Sequence, residues 1–301
     1  MKSANTGVRV PHQPPPAGEG RLHIGLAGGG SLRWGAADLT PVVEEARRRL
    51  DLSPLAAAAL GRGLTGAALL LRLAAKTPAR LVVEIRGDGP MRLVLAEADQ
   101  QGNLRGMVGQ PRLHLPTAPG GNLPVGDAIG KGLLRVLREQ DGASYQSQVA
   151  LVTGEIGTDL AHYLEQSEQT QSAVLVGVLA KPEGVAAAGG MIVEVLPGAR
   201  DAEVERLEAN IGRLAGVSRT IEEQGLHGLV QTLLDGLPGE VHETRELRYR
   251  CRCSRERLRQ HLIVLSADDR EHLQHADGST EAECVFCGEV YHFEAAELKP
   301  D

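Results

Sequence analysis

All four cysteines lie in the last fifty-odd of 301 residues, as Cys251-Arg-Cys253 and Cys284-Val-Phe-Cys287, with thirty residues between the pairs. In an extended strand residues i and i+2 face the same way, so Cys251 and Cys253 can aim their sulfurs at one ion. A C-x-x-C turn supplies its two sulfurs from the other side, and four such thiolates make a structural zinc site holding one Zn2+ per chain. Ordinary zinc ribbons pair C-x-x-C with C-x-x-C. The C-x-C half therefore suggests a metal centre that is also a switch.

The rest of the composition points to a globular chain with an aliphatic core. Hydrophobic residues make up 42% but aromatic ones only 2%, so Leu, Val, Ile and Ala must fill the interior. Four of the few rings, Tyr249, Phe286, Tyr291 and Phe293, crowd the cysteines. A module of about fifty residues is near the lower limit for an independent core, and structural zinc contributes ~10–16 kcal/mol of apparent folding energy. Without its metal this segment should unfold.

No apolar run is expected to cross a bilayer, and Pro14, Pro15 and Pro16 stand where a signal peptide would be apolar. A cytoplasmic protein with no membrane partner is expected, and four thiols at metal spacing disfavour a secreted disulfide scaffold. The net charge of -7 argues against a general nucleic-acid binder.

Four regions follow along the chain. Residues 1–19, rich in Pro and Gly, read as a disordered tail. Residues 20–197 read as an α+β core domain: strands at Leu81–Ile85, Leu93–Leu95, Ala173–Val178 and Met191–Leu196, helices at Pro41–Leu50 and Leu64–Ala75, the second apolar nearly all round and so buried. Turn signals at Gly87–Pro90 and Asp99–Asn103 come at hairpin spacing, which favours antiparallel pairing over a doubly wound sheet. Residues 198–246 read as a helical linker. Val204, Leu207, Ile211 and Leu214 share one face, and Gly212, Gly216, Gly225, Gly228, Gly236 and Gly239 interrupt it, each costing up to ~1 kcal/mol inside a helix. Such a linker is metastable and depends on docking, in part on the zinc module. Residues 247–301 form that module.

Other motifs carry less. Gly61-Arg-Gly-Leu-Thr-Gly66 matches a dinucleotide fingerprint, but a helix-like run precedes it instead of a strand, so the glycines serve close packing of a buried helix. No hydrolase elbow or H-E-x-x-H occurs, and no cysteine is left over as a nucleophile, so no catalytic site is expected and the chain is read as a non-enzyme. A thiol-disulfide oxidoreductase would need an attacking cysteine free of metal. His261, His272, His275 and His292 are possible substitute ligands. Arg245, Arg248, Arg250, Arg252, Arg255, Arg257 and Arg259 form a basic stretch that keeps a zinc-ribbon nucleic-acid binder as the alternative reading.

The segments Tyr249–Arg257 and Ala282–Phe293 resemble the two zinc-binding halves of the redox-regulated 33-kilodalton heat-shock chaperonins of bacteria. Arg62–Ala67, Arg86–Pro90, Gly154–Ile156 with Tyr163–Thr170, and Ala188–Gly190 with Leu196–Gly198 resemble further segments in the family's order, from about Arg21 to Leu298. The resemblance implies an ATP-independent holdase, silent when reduced and zinc-bound, activated in the cytoplasm by hypochlorous acid or by peroxide with heat. It also implies disulfides Cys251–Cys253 and Cys284–Cys287, zinc release, linker unfolding, an active homodimer, unfolding client proteins as partners and ATP-dependent foldases for their release.

Overall fold

The computed structural model describes residues 8, 18–74, 78–117, 122–275 and 277–298. All but three positions of the expected disordered tail lie outside them. Val8, within that tail, is buried in a hydrophobic cluster of the core.

In chain order the elements are β1 (Gly20–Ala27), β2 (Leu32–Asp38), α1 (Thr40–Leu50), α2 (Pro54–Leu73), β3 (Arg80–Gly87), β4 (Leu93–Asp99), β5 (Asn103–Val108), α3 (Val125–Ile129), β6 (Gly132–Gln140), β7 (Ala143–Ala150), α4 (Ile156–Glu168), β8 (Ser172–Lys181), β9 (Gly184–Val195), α5 (Asp201–Gly212), α6 (Val217–Leu233), β10 (Gly239–Tyr249), α7 (Arg255–Ile263), α8 (Ala267–Leu273), β11 (Thr280–Glu283) and β12 (Val290–Phe293). The chain divides into two compact units, Met1–Tyr249 and Arg250–Asp301.

The larger unit is one sheet in the order β7-β6-β3-β4-β5-β10-β1-β2-β9-β8. Every pairing is antiparallel except the short parallel contact of Arg248 with Asn103 and Tyr249 with Leu104, which joins its two halves. The hairpin turns bear out the antiparallel expectation. Asp99 Oδ1 accepts the Gln101 and Asn103 backbone N–H groups at 2.9 and 3.0 Å, tying the β4–β5 turn.

In β3, β4, β5 and β6 one face is aliphatic in cross-strand rows. Leu134, Ile85, Val94 and Val108 line up, then Val136, Val83, Ala96 and Gly106. This is period-2 alternation with one face turned inward. Against it lies α2, which also packs on β2, β8 and β9 of the other half. Its start at Pro54 is fixed by Ser53, whose Oγ accepts the Ala56 N–H at 3.2 Å. The helix thus begins ten residues before the predicted Leu64.

Gly61, Gly63 and Gly66 lie inside α2, as the packing interpretation requires. A Cβ at Gly66 would fall 2.4 Å from Leu160 Cδ1, and one at Gly61 2.8 Å from Val178 Cγ2, so neighbours approach the helix backbone directly. The expectation that no apolar run is long enough to cross a bilayer fails for α2. By length and composition its 20 residues suffice, yet nearly all are buried inside the fold.

The second half of the sheet is covered on both faces. Leu22, Ala37, Ala188 and Ile192 face α1 and α2. Leu32, Trp34, Ala36, Met191 and Val193 face the other way, onto Leu207 of α5 and Ile221, Leu226, Leu229, Val230 and Leu233 of α6.

The segment expected as a helical linker therefore docks on the sheet of its own unit. It is helical only to Leu233, and from Gly239 it becomes β10, paired antiparallel with β1 from Gly20↔Leu247 to Ala27↔Gly239. Leu247 and Tyr249 are buried in this unit, which moves the boundary from the expected 247 to beyond 249. Two features bear on how firmly the linker is held. Gly225 breaks α6 with φ 67 and ψ -174, a conformation side chains other than glycine rarely take. Asn210 is fully buried, and its Nδ2 donates to the carbonyls of Leu233 and Asp235, both at 2.9 Å, capping the end of α6 from α5.

Candidate metal centre

Two short stretches of backbone bring the cysteines together. Beyond Tyr249 the chain stays out of helix through Ser254, whose extended φ and ψ of -151 and 156 and whose Oγ, accepting the Arg257 N–H at 3.3 Å, start α7. Cys251 and Cys253 sit two apart in this stretch, and the Cys253 N–H reaches Cys251 Sγ at 3.4 Å.

The other pair caps the β11–β12 hairpin, in which Thr280 pairs with Phe293 and Glu283 with Val290. Its loop is closed by Cys284 N–H to Glu289 O at 2.9 Å, and the Cys287 and Gly288 N–H groups both return to Cys284 O, at 3.1 and 2.8 Å. The turn places both sulfurs on one side.

Cys251 Sγ lies 3.6 Å from Cys284 Sγ, Cys253 Sγ lies 3.4 Å from Cys287 Sγ, and all four sulfurs fall within 4.8 Å of one another. A tetrahedral ion with ~2.3 Å bonds to sulfur separates its ligands by about 3.8 Å. The cluster has that size, and all four cysteines are free thiols. The donor set fits zinc. Cys284 and Cys287 are buried while Cys251 and Cys253 are partly open to solvent.

The electrostatics agree. Burial pushes the Cys284 and Cys287 thiols up, and the hydrogen bond from Cys251 or Cys253 and the charge on Cys251 add to this. At Cys251 burial also opposes ionisation, but the Cys253 backbone N–H and the surrounding thiols outweigh it and the thiol moves down. Four sulfurs this close cannot all carry charge unless a cation sits among them.

Around the sulfurs the module has little else. Phe293, Leu298 and Thr280 are buried with the two cysteines. The Tyr291 hydroxyl lies 3.3 Å from Cys253 Sγ, and Arg255 stacks over the Phe293 ring at 4.5 Å while donating to the His292 carbonyl and Glu297. Tyr249 departs from the expected aromatic wrap. Its hydroxyl donates to the Gly106 carbonyl at 3.1 Å within the larger unit.

None of the candidate histidines joins the cluster, which among the described residues consists of the four cysteines alone. His272 Nδ1 is 2.6 Å from the Asp268 carbonyl and His292 Nδ1 is 3.5 Å from Glu281. The basic stretch is internally engaged: Arg245 with Glu243, Arg248 with Asn103, Arg255 with Glu297, Arg257 with the Arg252 carbonyl and Arg259 with the Glu297 carbonyl. That engagement lowers the case for a phosphate-binding row.

Comparison with known proteins gives the lineage. The family model described as Hsp33 protein matches residues 20–294. The chain belongs to the Hsp33 family. Among Hsp33 relatives it is 47% identical to the 33 kDa chaperonin of Thermus thermophilus, over 93% of this chain and 86% of that one. It is 43% identical to the 33 kDa chaperonin of Symbiobacterium thermophilum, over 91% and 94%. The crystal structure of the 33 kDa chaperonin (Hsp33) from Thermotoga maritima is similar with a TM-score of 0.84 at 37% identity, covering 92% of this chain and 96% of that one.

The four cysteines singled out in the sequence are the four that the fold brings together. Sequence reasoning missed Tyr291 as a partner of Cys253, although an aromatic four residues beyond Cys287 on the returning strand was a readable signal.

Proposed function

We propose that this chain is a redox-regulated, ATP-independent chaperone of the cytoplasm that holds unfolding proteins during oxidative stress and is silent while its four cysteines hold zinc. The observation that carries this reading is the docking of α5 and α6 over an apolar sheet face, in the segment whose last strand runs one residue short of Cys251. A covered apolar face that can be uncovered is what a regulated binder of unfolded chains needs.

Bound zinc keeps the cysteines as thiolates and supplies the folding energy of the small module. The chain's own part is to bring two dithiol pairs within reach. In each pair, two thiolates give up two electrons to hypochlorous acid, which with one proton becomes chloride and water as the sulfur–sulfur bond forms.

We assign the disulfides to Cys251–Cys253 and Cys284–Cys287. The shortest sulfur contacts run the other way, Cys251 to Cys284 and Cys253 to Cys287. Bonds along those contacts would tie the two halves together and preserve the module, whereas bonds within each half remove every link between them. In this scheme only the second pattern opens the module, loosens the linker and frees the sheet face for clients, with dimerisation of the active form and later transfer of clients to ATP-dependent foldases. Nothing in the scheme calls for enzymatic turnover.

The test is light scattering from a heat-unfolded client with the chain either reduced and zinc-loaded or oxidised by hypochlorous acid, with released zinc read in parallel. Suppression confined to the oxidised form, with one zinc released per chain, is the expected result. Equal failure of both forms with zinc retained would sink the proposal. Peptide mapping of the oxidised chain should recover the two within-half disulfides.

A further inference from the structure

The ten-stranded sheet ends in two edges that are treated differently. At β8 the first turn of α4 closes the edge: a Cβ at Gly157 would lie 3.3 Å from the Val174 carbonyl oxygen, and a bulge between Leu179 and Ala180 disturbs the far end. At β7 no described strand pairs with the outer side.

The ladder fixes which groups of β7 are left over. The Leu151 N–H donates to Gly132 O, and the register runs unbroken from Leu133↔Ala150 to Gln140↔Ala143. Odd-numbered residues therefore bond β6, and Ser144, Gln146, Gln148 and Ala150 turn their amides and carbonyls outward. All four are exposed.

Such a row is a template for another strand, and folded proteins usually blunt it with lysine, proline or a bulge. Ala143-Ser-Tyr-Gln-Ser-Gln-Val-Ala150 contains no charge and no proline, and no bulge interrupts it. Beside it, on the face carrying the odd-numbered side chains, is a partly open cavity of about 330 Å³ lined by Val136, Arg138, Tyr145, Ser147 and Glu168. Tyr145 is 60% exposed there.

We infer that β7 receives an extended, uncharged segment of an unfolded polypeptide as an eleventh strand. Main-chain bonds to Ser144, Gln146, Gln148 and Ala150 hold it, and one of its alternate side chains, aromatic or long aliphatic, enters the cavity beside Tyr145. This rests on the holdase reading and names one surface for it. Main-chain pairing tolerates many sequences, which suits a binder of unrelated clients.

A second copy of this chain fits less well. Pairing β7 with β7 joins a ribbon roughly 27 Å long and 10 Å wide, far below the ~800 Å² per partner of stable interfaces. An unfolded chain held at several places needs no single strong contact.

The test is hydrogen exchange on the full-length oxidised chain with and without β-casein, an unfolded probe without cysteine. Exchange at Ser144, Gln146, Gln148 and Ala150 should slow at least about tenfold on binding, with β6 amides unchanged. Bound probe without that slowing overturns the edge and leaves the holdase reading standing, whereas no binding in either redox state overturns both. Slowing that grows with protein concentration without probe would assign the edge to a second copy and refute the proposal. Gln148→Pro removes one outward N–H and keeps the bonds to β6, so it should bind about fivefold more weakly, the worth of one hydrogen bond; Gln148→Thr should bind as wild type. Unchanged affinity of Gln148→Pro would count against main-chain pairing.

Discussion

Replacing Asn210 with alanine strips the end of α6 of its cap. The amide donates to two carbonyls, Leu233 O and Asp235 O, and its oxygen accepts from Arg213. Two lost hydrogen bonds are worth about 1 kcal/mol each, and the Leu233 carbonyl, on a fully buried residue, adds a desolvation cost of about 1–2 kcal/mol. The sum is about 3–4 kcal/mol, which corresponds to roughly 140- to 700-fold more frequent opening of the helix pair. The cost should fall on α5 and α6, because Asn210 bridges only those two and Gly225 already breaks the second. Residue-resolved hydrogen exchange on reduced, zinc-loaded protein is the assay. Faster exchange across 201–233 is expected, with β3, β4 and β6 near wild type. Unchanged exchange in α6, or equal acceleration throughout the sheet, would refute the idea of a separately held linker.

Three further outcomes are expected. His23 is buried against Thr244, and burial, helped by Arg21, depresses its pKa to about 4 from 6.5; the unfolded chain then binds the extra proton first, so stability should fall as pH drops from about 6.5 toward 4, by at most about 3 kcal/mol. Urea midpoints across that range should show the slope, and His23→Gln should flatten it. Chelation of zinc from the reduced chain should unfold the β11–β12 hairpin while the large sheet persists, and protected amides at Cys284, Cys287 and Gly288 after metal removal would contradict this. Gly106→Val should destabilise the larger unit by about 1–3 kcal/mol, since a Cβ there falls 2.7 Å from Leu60 Cδ1 and 2.4 Å from the Leu95 carbonyl oxygen; a urea midpoint equal to wild type would argue against that close approach.

The four-cysteine cluster was legible because its information is local. Cys251 and Cys253 are two apart and Cys284 and Cys287 three apart, so strand and turn geometry orient each pair without reference to the remaining chain. The buried helix was legible for the same reason, although its start was not, and the Ser53-Pro54 cap signal was present but unused. Strand β10 was not legible. Its residues Glu240 to Arg248 are heavily charged, and only Val241, Leu247 and Tyr249 hint at a face, so its strand character comes from β1, a partner at the opposite end of the sequence. The docking surface of the linker escaped for a related reason: Val204, Leu207 and Leu229 announce an apolar face but not what it covers.

Placing β10 between β5 and β1 also constrains how the chain is born. Gly20 finds its partner in Leu247, 227 positions later. At ~5–20 residues per second, a ribosome takes roughly 10–45 s to make that stretch. During this time β1 and β5 each stand with one edge unfilled, and no strand pairing joins the two halves of the sheet, which share only the packing of helices, chiefly α2. The nascent chain therefore spends tens of seconds exposing the kind of strand edge and apolar face that its finished form is proposed to handle in others, and closure waits for the last segment before the cysteines. Non-local pairing of this kind makes for slow folding, so truncation before Gly239 should leave an aggregation-prone product even though most of the core residues are already present.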